Sequence, residues 1–202
     1  MSIYKEISKA IRITFVLWLL TAIIYPLFIL FVAQVPFLKG KAEGSIIPNI
    51  KGEIIGSALI GQQFKSDQYF HGRPSTIRYS QGKQGNPTGV SGASNLAPSS
   101  PQLLKRIVEQ ANLLKDEDIQ PIADLIYTSG SGLDPHISIK AVREQLDRVA
   151  RARKLKRDEI LPFINKYTEG RFLGIFGEPG VNVLKLNNAL DFLDEFNRQQ
   201  NK

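Results

Sequence analysis

The chain reads as an α/β or α+β domain hung from a single N-terminal membrane-spanning helix. Residues 13–38 run for 26 residues without a charge, and no second run of this kind follows. From residue 53 onward, short β-branched or aromatic stretches alternate with amphipathic helical patterns. Within that region, 16 of the 30 residues at 71–100 are Gly, Ser, Pro or Asn, a loop composition. The expected organisation is a short tail at 1–12, a transmembrane helix at 13–38, a juxtamembrane linker at 39–52, and a soluble domain at 53–202 that carries the long loop.

A helix of 26 residues is about 39 Å long against a hydrocarbon core of about 30 Å, so the run crosses a bilayer once with some tilt. A cleaved secretory signal would also open with basic residues such as Lys5, Lys9 and Arg12. Its apolar core is shorter, however, and ends in a small-x-small site, whereas Ala33 stands alone among Phe31, Val32, Gln34 and Val35. Thr14, Trp18, Thr21 and Tyr25 fall at i, i+4, i+7 and i+11, one stripe of a helix and a candidate face for a partner protein. The threonines can equally bond their own backbone carbonyls. Pro26 frees a carbonyl close to Tyr25.

Charge does not orient the span. Lys5, Lys9 and Arg12 on one side balance Lys39, Lys41 and Lys51 on the other. Residues 1–42 hold five basic groups and one acid, so of the net +7 only +3 belongs to the other 160 residues. That is no nucleic-acid footprint; the excess lies beside the membrane, where it can meet anionic lipid. With no cysteine, disulfides, thiolate metal sites and a cysteine nucleophile are excluded.

Along the domain, Glu53–Ile60 reads as a strand and the long loop follows. Ser99 or Ser100 caps a helix with Pro101 in its first turn and an apolar face of Leu103, Leu104, Ile107, Val108, Ala111 and Leu114. Asp124–Thr128 reads as a short strand. Ser138 caps a second helix that buries Val142, Leu146 and Val149, and a third is expected near Ile160–Tyr167. Phe172–Phe176 and Val181–Leu186 read as strands. Asn187 begins a last helix with Leu190, Leu193 and Phe196 inward. Ordering a 30-residue loop costs on the order of 30–60 kcal/mol, and loops this long are disordered or functional. With Tyr69 and Phe70 before it and Ile77, Tyr79, Val90 and Leu96 within it, the loop reads as a surface that orders against another protein. The alternative is a flap packed on its own domain.

Candidate chemistry is sparse. No P-loop is present. Ser129-Gly130-Ser131-Gly132 could present amides to an anion, a weak signal for a turn after an apolar stretch. His71 and His136 lack companions at metal-ligand spacing. Asp134 and His136 could form an acid–base pair, although a turn role for Asp134 is the simpler reading. Asp116, Glu117 and Asp118 suit a solvated helix end.

Gln63-Phe64, Tyr69–Ser75, Ser94-Asn95-Leu96, Ser129–Ser138 and Val181–Asn187 together resemble the C-subunit family (KdpC) of the Kdp potassium-transporting P-type ATPases. The spacing of Gln145, Arg148, Val149, Ala150 and Arg153 fits as well. Ala93 and Ala97 replace expected glycines, and Gly180 a common basic residue. The resemblance covers nearly the whole chain. It implies a non-catalytic subunit that assembles with a channel-like potassium-translocating subunit and a P-type pump subunit in a bacterial plasma membrane, its domain on the extracytoplasmic side. ATP and K⁺ would be handled by the complex, with no cofactor of the chain's own. The family's suggested role as a catalytic chaperone, raising the pump's ATP affinity, would draw on Ser129, Gly130, Ser131, Gly132 and Gln145. Direct nucleotide contact conflicts with an outer domain. Contact candidates are Thr14, Trp18, Thr21 and Tyr25 in the span, with Tyr69, Phe70, His71, Arg73, Tyr79, Asn95, Asp134 and His136 in the domain. The competing classes are a membrane-anchored hydrolase using Ser131, Asp134 and His136, and a ligand-binding module.

Overall fold

A computed structural model describes residues 3–77 and 90–200. It divides into two compact units, Met1–Ser45 and Ile46–Lys202.

In the first unit, one apolar helix extends over Ile3–Ala33, none of it buried within the structure. It comprises α1 (Ile3–Leu19), a wide π-helical turn (Leu20–Ile24) and α2 (Tyr25–Ala33). Proline explains the wide turn. Pro26 has no N–H for the carbonyl four residues back, and its ring crowds that turn. The N–H of Tyr25 reaches Leu20 O, five residues back. A second proline has the opposite outcome. Val35, before Pro36, is extended (φ −60, ψ 130), which ends the helix, and a short α3 (Pro36–Ala42) begins anew. The uncharged run is therefore not one helix to residue 38. Its helical part, residues 13–33, is about 31 Å long, a match to the hydrocarbon core.

The second unit is α+β, and the sheets among its described residues are antiparallel. β1 (Ile46–Pro48) pairs with β2 (Ile54–Ser57) around a turn in which Asn49 Oδ1 accepts the N–H groups of Lys51 and Glu53. Residues 46–52, read as linker, thus form the first strand and its turn. After the loop come α4 (Pro101–Asp116), α5 (Ala123–Ile126), β3 (His136–Ile137), α6 (Ile139–Arg153), α7 (Arg157–Lys166), β4 (Thr168–Glu169), β5 (Gly180–Asn182) and α8 (Val183–Gln200). β5 is central in a three-stranded sheet, flanked by β3 and β4. The core joins Val142, Leu146 and Val149 of α6, Ile160 and Ile164 of α7, and Leu186 and Leu190 of α8. Ile137, Val181 and Phe70 complete its centre. Ser138 caps α6, its hydroxyl accepting the Ala141 N–H at 3.2 Å.

Several expected elements differ. Asp124–Thr128 is not a strand: α5 closes a helical turn with Tyr127 N–H on Ala123 O, while Asp124 Oδ2 accepts the Ser138 N–H at 2.9 Å. Phe172–Phe176 is an exposed turn that pairs only with itself. The last strand stops at Asn182 because that residue caps α8, its Oδ1 accepting the Lys185 N–H at 3.1 Å. The helix therefore begins at Val183, four residues before Asn187. Ser100 precedes α4 without a side-chain cap bond. Leu104, Val108 and Phe196, expected inward, are exposed.

Candidate functional site

Most expected site residues of the domain gather around segment 67–75, which turns at 67–69 and is held by side chains of α6 and α8. Phe70 is fully buried. Its N–H donates to Asn187 Oδ1 and its C=O accepts from Asn187 Nδ2, both at 2.9 Å. Gln145, 1% exposed, treats His71 in the same way. Its Oε1 accepts the His71 N–H at 2.7 Å and its Nε2 donates to His71 O at 3.1 Å. Two side-chain amides thus replace the neighbouring strand that this segment lacks, leaving no buried backbone group of either residue orphaned.

Two arginines complete the clamp. Arg148 donates to Asp67 O, Tyr69 O and Gln145 Oε1, the last at 2.7 Å. Arg153, its side chain 1% exposed, pairs with Asp191 at 2.9 Å and Asp194 at 2.6 Å, and donates to Gln68 O at 2.6 Å. It also lies over the Tyr69 ring. The Tyr69 hydroxyl donates to Asp191, and burial followed by that carboxylate raises its pKa. Arg148 Nη1 stands 3.2 Å from His71 Nε2, with Ser66 O at 3.3 Å from the same nitrogen. Arginine can only donate, so Nε2 carries its lone pair and the Ser66 contact is no hydrogen bond. Burial first, then the Arg148 charge, pushes the His71 pKa below its ordinary 6.5, which agrees with a neutral ring.

Arg73, Asp134 and His136 do come together. Arg73 lies 3.2 Å from Asp134 and 3.8 Å from Asp124. Asp134 Oδ1 accepts the His136 N–H at 3.0 Å. His136 Nε2 meets Glu169 at 3.1 Å, and Glu169 meets Lys185 at 2.7 Å. Burial pushes the Glu169 carboxyl up, but Lys185 and His136 together outweigh it and hold it below its usual range. This alternating chain ties the loop, α5, β3, β4 and α8 together.

The Ser129–Gly132 turn is a seat for the long loop. Gly92 N–H donates to Ser131 O and Ser75 Oγ to Gly132 O, both at 2.7 Å. Gly132 has φ +70, and a Cβ there would lie 2.6 Å from Gly92 O and 2.9 Å from Ile77 Cγ1. Both described arms of the loop therefore rest on their own domain; Tyr79 lies outside the described residues. Ser131 Oγ sits 3.1 Å from Ser129 Oγ and accepts the Leu133 N–H at 3.1 Å. A hydrolase would need a His136 nitrogen on that hydroxyl, but Nε2 faces Glu169 and Nδ1 lies 3.8 Å from Asp134. Among the described residues, no cluster could hold a metal.

Other expected contacts change character. Phe70 is a core side chain with no outward face, and Gln145 is engaged at both ends of its amide. Asn95 is exposed with φ +50, a conformation asparagine tolerates. In the span, Thr21 Oγ1 bonds its own Leu17 O at 2.8 Å. The wide turn sets Tyr25 back by about 100°, one residue's rotation, out of line with Thr14, Trp18 and Thr21. Sequence reasoning missed Asn187, Arg153 and Asp191 as parts of the clamp. The available signal was a polar amide at a core position: Gln145 beside Val142, Leu146 and Val149, and Asn187 beside Leu186 and Leu190.

Comparison with known proteins gives one answer. A family described as "K+-transporting ATPase, c chain" (KdpC) matches residues 7–192. "Potassium-transporting ATPase KdpC subunit 2" of Nostoc sp. is 66% identical over the full length of both chains. The KdpC subunit of Anabaena sp. is 65% identical over both full lengths. That of Synechocystis sp. is 57% identical over 90% of this chain and 95% of its own. The clamp residues other than Asp194 and the loop seat fall within the matched region, and the chain belongs to the KdpC family of potassium-transporting ATPase subunits.

Proposed function

We propose that this chain is the non-catalytic assembly subunit of an ATP-driven potassium uptake complex. It holds a channel-like subunit and a P-type pump subunit together from a single membrane span. The observation that carries this reading is the use of the candidate site's polar groups. Gln145, Asn187, Arg148, Arg153 and the Asp124–Lys185 chain are engaged within the chain's own fold, as in a scaffold. Family membership supplies the complex, and the apolar helix Ile3–Ala33 supplies the anchor. Assembly then acts by mass action: surface buried only in the assembled state selects that state. ATP and K⁺ belong to the other subunits.

In this reading the domain lies on the extracytoplasmic side, an expectation that rests on the family resemblance. A role in raising the pump's ATP affinity would use the Ser129–Gly132 turn and Gln145. The turn seats the loop and Gln145 holds His71, so we assign these residues to the fold.

Two experiments test the proposal. Protease added to intact cells should cut the domain without the membrane being opened; protection until lysis would put the domain inside and revive direct nucleotide contact. Omitting the chain during co-expression should lower recovery of the joined channel-like and pump subunits. Unchanged recovery would refute the assembly role.

A further inference from the structure

The connection between β4 and β5 ends in an uncovered apolar knob. Phe172, Leu173, Ile175 and Phe176 are 71%, 73%, 73% and 62% exposed, and no polar side chain lies between them. Together they offer on the order of 500 Å² of apolar surface, at the upper end of what a soluble monomer shows.

The knob has a definite shape. Phe172 N–H donates to Phe176 O at 2.8 Å and Phe176 N–H to Phe172 O at 3.0 Å. Ile175 N–H donates to Phe172 O at 3.2 Å and Gly174 N–H to Arg171 O at 3.0 Å. At its base, Arg171 meets Glu178 at 3.4 Å. These four backbone N–H groups are satisfied inside the turn, so covering it orphans none of the four. Leu173 holds φ +53, a left-handed conformation that is costly for a residue with a Cβ.

We infer that this tip docks into an apolar cleft on the extramembrane surface of another subunit of the same ATPase. The inference rests on the assembly reading above and names one of its contacts. The area decides against a second copy of this chain, because a stable interface needs about 800 Å² from each partner. A smaller contact suffices between subunits that other contacts of the assembly already hold together, where this one is effectively intramolecular. Shape decides against lipid. Fluid hydrocarbon accepts any apolar tip, whereas a knob held by four internal bonds, with leucine in a strained conformation, is preorganised for a receptor of fixed form.

The test places benzoylphenylalanine at Phe176 in the full chain, co-expressed with the other subunits, and irradiates the assembled complex. The expected product is an adduct with one of the larger subunits. An adduct between two copies of this chain, or a lipid adduct without a protein one, would overturn the inference. Ile175→Asp provides a second test. Recovery of the complex should fall about tenfold while the purified variant keeps the wild-type melting temperature. Wild-type recovery of that variant would remove the tip as a contact and leave the subunit reading standing. Failure of the wild-type chain to co-purify with any larger subunit would remove that reading itself.

Discussion

Replacing Asn187 with alanine tests the clamp directly. Phe70 is fully buried, and both of its backbone groups are held by the Asn187 amide at 2.9 Å. Asn187→Ala leaves one N–H and one C=O without partners in the core. Each orphaned group costs about 1–3 kcal/mol, so the pair costs roughly 4 kcal/mol. In a domain of this size, 1 kcal/mol moves the melting temperature by about 2–4 °C. The expected fall is therefore about 8–16 °C, measured on the full chain in detergent by the near-ultraviolet signal of the domain's tyrosines. The adjacent Asn188→Ala is the control. Its Nδ2 reaches Pro48 O at 3.0 Å from an exposed position, and its loss should cost under about 2 °C. A fall below about 3 °C for Asn187→Ala would refute the argument that the segment depends on side-chain amides.

His71 should make the domain acid-sensitive. Its folded pKa lies below 6.5, its value when unfolded. The unfolded chain therefore binds more protons between the two values, and stability declines as pH drops below about 6.5. His71→Gln should flatten that part of the unfolding free energy against pH, and an unchanged slope would count against a neutral His71 facing Arg148. At the loop seat, Gly132→Ala forces a Cβ against Gly92 O in a left-handed backbone, so about 1–3 kcal/mol of stability should be lost in a denaturant titration. Gly130→Ala meets nothing within 4 Å and should stay within about 0.5 kcal/mol of wild type. Equal effects of the two would contradict the seat.

The anchor, the alternation of elements and the family blocks were legible because each rests on a local pattern. The uncharged run is visible residue by residue, and the α6 face repeats at Val142, Leu146 and Val149. Phe172–Phe176 misleads because an aromatic and aliphatic run has strand composition whether buried or not; Leu173 and Gly174, both at positive φ, turn it back on itself. The short run Asp124–Thr128 fails for a related reason, since periodicity cannot separate strand from helix over so few residues. The clamp was only half legible. Tyr69–Ser75, Gln145 and Val181–Asn187 stand out in the sequence, but pairing Asn187 with Phe70 spans 117 residues, and nothing local announces such a bond. Arg73 shows the same limit. It reads as an outward cation, yet it faces Asp134 and Asp124 of its own chain.

The central claim is that a chain without catalysis of its own works by joining larger, ion-moving subunits. Purifying the tagged chain from bacterial membranes and assaying ATP hydrolysis tests this most directly. The account predicts that two larger membrane proteins come with it, that K⁺-dependent hydrolysis is found in that assembly, and that the chain stripped of them is inactive. A chain recovered alone that hydrolyses ATP or another substrate would contradict it.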